Sequence, residues 1–337
     1  MPVPDPKSVM RRAAGATMRR VFAAPPSDQG FDVGDRDAGL FGPDSVTWRV
    51  HSNLSMLVGG IRALIVQTLD PLAMAGVADH SLYRSDPLGR LRRTAAFIAA
   101  TTFGTTAEAA AAVARVRAIH DAVQGVAPDG RPYAASDPDL LAWVHHVEVQ
   151  SFLVAYQRVG PGLAPADADR YVAEMARLGE LLGVVDPVTD AVALDRWVRE
   201  HPRQRATAEA RRAVRFLIAP PLPISARAPY TVLFAAAVSL VPLRPRLALG
   251  LVLPGPVTGR LACEPAASAL LAALGWSLGP SPALRRAQAR VGACGSGRRD
   301  ARLSPGWGRS ARTPPGCRRG RPCRSCASLG AGARRSA

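Results

Sequence analysis

Residues 86–125 read DPLGRLRRTAAFIAATTFGTTAEAAAAVARVRAIHDAVQG, and this stretch decides the fold. Asp86 is a capping residue, Pro87 suits a first helical turn and Gly104 follows the last, so a helix is predicted over about 87–103. Thr105 and Glu108 form a capping-box pattern that opens a second helix over about 106–124, ended by Gly125.

The same punctuation continues on both sides. Upstream, Val46, Val50, Leu54, Leu57, Ile61, Leu64, Ile65 and Leu69 recur at three- and four-residue steps, a helical pattern over 43–78 that Asp70-Pro71 interrupts. Downstream, helices are predicted from Asp137 to about 158, from Asp167 to Leu182, over Leu194–His201 and Arg203–Ala219, and over Tyr230–Val241 and Ala266–Leu274. Alanine is abundant, aromatics are 5% of the chain, and no stretch alternates as a strand should. The expected class is all-α: one multi-helix domain over 36–285, with a leader over 1–35.

From 286 to 337 the character changes to Arg, Gly, Ser, Pro and Cys without helical period. Such a segment buries too little apolar surface to offset its ordering entropy, so a disordered basic tail is expected. Its vocabulary equally matches a shifted reading frame in GC-rich DNA. The tail also explains the charge. Of the net +17, residues 281–337 carry fourteen arginines against Asp300 alone, leaving +4 on the rest. That is ordinary for a soluble domain, and no nucleic-acid partner is expected. Cys294, Cys317, Cys323 and Cys326 lie in the same end; one Cys-x-x-Cys without a second pair makes a poor zinc set and no disulfide framework.

Arg11, Arg12, Arg19 and Arg20 precede an apolar run too short for a signal peptide. The most apolar stretch, Tyr230–Leu243, is about 14 residues where a bilayer span needs roughly 20. It reads as a core helix, and the expected location is the cytoplasm, with peripheral membrane contact by the 230–253 region as the lesser alternative. No Walker loop, His-Glu-x-x-His or Gly-x-Ser-x-Gly elbow is present.

Three constellations could carry chemistry. His120 shares a helix face with Val113, Val116 and Val123, so a histidine projects from an apolar stripe. It is either a core histidine bonded to a carbonyl or a haem-iron ligand, since neutral imidazole binds iron and apolar walls suit a porphyrin. Arg90, Arg93, Thr94, Phe97 and Thr101 form a second stripe, which either faces solvent or lines an anionic or oxygen-binding pocket. Leu141, Val144, His145, Glu148 and Phe152 form a third. There His145 is the inward histidine, and its neighbour His146, about 100° around the helix, is expected to face outward. His80 sits in a predicted turn before the Asp86 cap.

Several ordered blocks then resemble one family. They are Phe41-Gly42-Pro43 with Trp48-Arg49-Val50; Gly59-Gly60-Ile61-Arg62; Gly76-Val77-Ala78-Asp79-His80-Ser81; Gly89-Arg90-Leu91-Arg92-Arg93-Thr94; Ile119-His120-Asp121-Ala122-Val123-Gln124-Gly125; Tyr133 to Pro138; Trp143-Val144-His145; Glu174; and Leu182-Gly183-Val184. Together they cover about 40–285 and resemble the domain shared by latex-clearing rubber oxygenases and MpaB-type oxygenases. The resemblance implies a helical fold around one b-type haem, an oxidoreductase using dioxygen on a small apolar substrate, and His120 as the iron ligand. It places Arg90, Arg93 and Thr94 over the distal haem face, with His145 and His80 as further cofactor-pocket candidates. The alternative is a helical haem or lipid binder without turnover. Arginine stands at 93 where the rubber oxygenases have lysine, their catalytic glutamate has no motif counterpart here, and Asp70-Pro71 replaces a frequent His-Pro. Arginine is planar and stays charged, so rubber cleavage does not carry over.

Overall fold

A computed structural model describes residues 37–292. The predicted 43–78 helix is three helices: α1 (Val46–His51), α2 (Met56–Gln67) and α3 (Pro71–His80). The first break comes where the Asn53 side chain accepts from Ser55 N at 2.9 Å, a local bond that competes with the helix. At the second, Asp70 caps α3 through Leu72 N and Ala73 N, and α2 and α3 meet at 105°.

Next come α4 (Pro87–Phe103) and α5 (Thr106–Ala122), bounded as the sequence predicts. Asp86 accepts from Gly89 N, and both halves of the Thr105/Glu108 capping box form. A hairpin of β1 (Gln124–Val126) and β2 (Pro132–Ala134) follows, pairing Gly125 with Tyr133. Three-residue strands are too short to show alternation, so the sequence reading missed them. A Cβ on Gly125 would lie 2.5 Å from the Tyr133 hydroxyl, so glycine is what lets the strands close. Tyr133 then donates to Asp79 at 2.6 Å, docking the hairpin on α3.

The centre of the molecule is α6 (Pro138–Val159), buried along most of its length. The bundle around it comprises α7 (Pro165–Leu182), α8 (Ala191–Glu200), α9 (Ala208–Ile218), α10 (Ile224–Ser239) and α11 (Leu243–Ala248). A Cβ on Gly59 of α2 would meet Phe152 Cα at 3.0 Å, so this glycine sets the close approach of α2 to α6. Arg62, 2% exposed, donates to Leu240 O at 3.0 Å and Ser151 Oγ at 2.6 Å, tying α2, α6 and the end of α10 together. The core runs through Val50, Ile65, Trp143, Tyr171, Leu194 and Val238.

Two elements at the C-terminal side differ from expectation. The helix predicted at 266–274 is a 23-residue helix, α12 (Pro256–Leu278), long and apolar enough to cross a membrane by length and composition, and mostly exposed. The predicted span covers only the middle of this helix. Pro256 sits in the first turn, and a π-helical turn over Gly259–Cys263 precedes Pro265, easing the loss of the proline's amide. The region read as core behaves so: Ala236, Ala237 and Val238 are fully buried. The domain also runs past residue 285, because α13 (Pro282–Gly292) packs Ala287 against Trp48 and Phe103. Its Arg290 donates to the carbonyls of Asp37, Phe103 and Gly104, serving the C-terminal end of α4. The remainder of the expected tail, and the leader, lie outside the described residues.

Candidate functional site

Residues from α3, α4, α5 and α6 meet at one end of the bundle. α4 and α5 are joined by Gly104-Thr105 alone, so the start of α4 and the end of α5 lie at the same end. Arg90 is in the first turns of α4 and His120 in the last turn of α5. The hairpin leads from there to the start of α6, where His145 lies two turns in.

His120 is half-buried, and its Nδ1 is enclosed without a hydrogen-bond partner among the described residues. Burial holds its pKa below the usual histidine value, with Asp121 opposing, so the ring is neutral at pH 7. The stripe beneath it is as expected at Val113, which is buried; Val116 is half-buried, and Val123 packs on the hairpin cluster with Tyr133 and Leu140.

The α4 stripe grades from solvent to core. Arg90 is half-buried and donates to Ser81 Oγ at 2.7 Å. Arg93 and Thr94 are exposed, and Arg93 reaches back to Asp86 at 3.3 Å. Phe97 packs on the main core, and Thr101, 1% exposed, bonds back to Phe97 O. His80 ends α3, exposed, with Nε2 3.2 Å from Gln124 O and its ring against Tyr133. It braces the hairpin instead of turning toward α6.

His145 is buried against α7, where a Cβ on Gly179 would lie 2.8 Å from its Nε2. Burial first, then His146, lowers its pKa to about 3. His146 corrects the sequence reading. It is 3% exposed, accepts from Val188 N at 3.1 Å and lies 4.4 Å from the Trp197 ring. An outward face was expected because α6 was read as having one, but helices cover it on nearly every side.

One polar chain was not legible in the sequence. His51 Nδ1 is 2.8 Å from Thr102 Oγ1, and its Nε2 is 3.1 Å from the Tyr171 hydroxyl. Burial lowers the His51 pKa to about 3. Burial, then the charges of Glu148 and Glu174, holds the Tyr171 hydroxyl well above its usual value. Glu148 sits deep enough that burial pushes its carboxyl up to about 7, although part of its surface is accessible. It lies one turn beyond His145 on the same face of α6. A carboxyl poised near neutrality can take or release a proton at working pH. Glu174 has a separate task, accepting from Val46 N and from the Thr47 amide and hydroxyl to cap α1. Among the described residues no group of three or more His, Cys, Asp or Glu is placed to hold a metal ion; a haem asks for only one such ligand.

Fold and site together define an α-helical domain that presents a neutral histidine and a half-buried arginine at one end of a bundle. Residues 48–291 match the family described as "ER-bound oxygenase mpaB/B'/Rubber oxygenase, catalytic domain", and the chain belongs to that family of oxygenases. No curated protein and no solved structure matches it.

Proposed function

We propose that the domain is a haem-dependent oxygenase that binds one b-type haem through His120 and acts with dioxygen on a small apolar substrate. The observation that carries the reading is the neutral His120 ring, with an enclosed and unpartnered nitrogen, at the position where the family resemblance puts the ligand. A buried polar atom without a partner asks for a ligand or a water; His146 Nδ1 and His201 Nε2 share this feature, and the family position is what singles out His120. Haem, when bound, supplies the redox chemistry, and the protein supplies ligation, orientation and polarity. Arg90, half-buried and donating to the neutral Ser81 hydroxyl, is suited to a propionate. The family resemblance puts Arg93 and Thr94, both exposed here, on the dioxygen side, and His145 would wall the inner end of the site. Glu148 holds or releases a proton within the same domain. The exposed apolar surface of α12 supports membrane contact, in keeping with the ER-bound members that the family description names.

The test is dioxygen uptake by haem-loaded protein offered apolar alkenes and terpenoids. Uptake that requires the alkene, and that falls roughly 100-fold in Thr94→Val with the haem spectrum retained, is expected. A haem spectrum without substrate-dependent uptake on any of them would leave a haem carrier instead.

A further inference from the structure

A cavity of about 250 Å³ opens where the end of α6, the α10–α11 turn and the start of α12 meet. It lies thirteen residues along α6 from His145, about 20 Å, and takes no part in the site above. Arg158, Arg246 and Arg260 line it, and Glu264 is the single carboxylate in its wall. Glu264 is already engaged, by Arg158 at 2.8 Å and by the Ser239 hydroxyl at 3.2 Å. Arg246 forms the floor. It is 2% exposed, and its Nε has no hydrogen-bond partner among the described residues. A guanidinium cannot shed its charge, and leaving one of its buried N–H groups unpartnered is costly. The cavity therefore holds more positive charge than its own carboxylate can neutralise.

Two further features point to an anion. Pro256 in the wall begins α12, so the unpaired amides and dipole of a long helix meet the cavity. The π-helical turn begins at Gly259, where a Cβ would strike Ser239 Cβ at 2.6 Å. The glycine lets α12 approach α10 closely and brings Arg260, the next residue, to the wall. The cavity is smaller than the roughly 300 Å³ at which drug-sized ligand pockets begin, so it takes a small group. Leu243 in its wall is exposed, as are Val257 and Leu261, the chain neighbours of the wall residues Pro256 and Arg260.

We propose that this cavity is a binding site for a phosphate-type anion, with Arg246 as its floor and Arg158 and Arg260 as its walls. The inference does not depend on haem. The test titrates the full-length protein calorimetrically with inorganic phosphate, and in parallel sediments it with phosphatidylcholine vesicles with and without phosphatidylglycerol. Arg260→Gln removes an exposed charge without risk to the fold; Arg246→Met removes the buried one while keeping its length. Phosphate binding that each variant weakens at least about tenfold, with helical circular dichroism intact, is expected. Vesicle binding that needs phosphatidylglycerol and fails in Arg260→Gln identifies the source as a lipid headgroup. Binding of phosphate but not of vesicles identifies a soluble phosphate compound. Wild-type protein that binds neither probe, or an Arg260→Gln variant that binds as well as wild type, would overturn the proposal.

Discussion

Asp70→Ala is expected to destabilise the domain by about 3–4 kcal/mol, the largest effect of any single polar truncation. Asp70 is fully buried. One oxygen accepts from Leu72 N at 2.8 Å and Ala73 N at 2.9 Å; the other lies 2.8 Å from Arg203 Nε, at ion-pair distance although the angle makes no hydrogen bond. Alanine would leave two helix-start amides uncapped and Arg203, among the described residues, with only the exposed Asp139, 3.6 Å away. For a domain of this size the thermal midpoint should fall by about 10 °C. Asp70→Asn keeps an acceptor for the cap and should lose less than half as much. Equal losses in the two variants would mean that the charge, and not the cap, dominates.

Acid is expected to unfold the protein well before ordinary carboxylates titrate. Burial lowers His51 and His145 to about 3 and His146 to about 4, against an unfolded value near 6.5. Below pH 6.5 the unfolded chain binds protons that these rings refuse, so their stabilisation is present above 6.5 and is lost as pH falls. Glu148 works the other way. Raised to about 7, it keeps a proton that the unfolded chain releases, so its contribution is present at low pH and is lost as pH rises through 7. Three histidines outweigh one glutamate, leaving about two extra protons on the unfolded chain near pH 5, a slope on the order of 3 kcal/mol per pH unit. Denaturant midpoints measured from pH 7 to pH 5 read this directly; a flat profile would contradict the burial of these rings. Glu148→Gln should stabilise the protein at pH 8, with the gain shrinking as pH falls and vanishing only below about pH 4.

The helix boundaries that sequence could supply were those written in local chemistry: the Asp86 cap with Pro87, the Thr105/Glu108 box, and Gly183 in the left-handed region behind α7. The His120 stripe was legible for the same reason, because its spacing lies within one helix. What sequence could not supply were contacts made at a distance. Thr102, His51 and Tyr171 come from three helices, with 120 residues between the last two, and no periodicity links them. His146 was misread because amphipathic logic assigns a central helix an outer face it does not have. The upstream part of α12 escaped the sequence because it runs through a π-helical turn, which has no sequence signature. Arg290, in a region that composition alone marks as tail, proved to bind the end of α4.

The central claim is that His120 ligates haem. The most direct measurement is an absorption spectrum of the purified protein supplied with haem, wild type beside His120→Ala. A stoichiometric Soret band in wild type that is lost or shifted in the variant is the expected result. Colourless wild-type protein after haem supplementation would contradict the claim and return His120 to the status of a core histidine; a Soret band unchanged by the substitution would contradict His120 as the ligand.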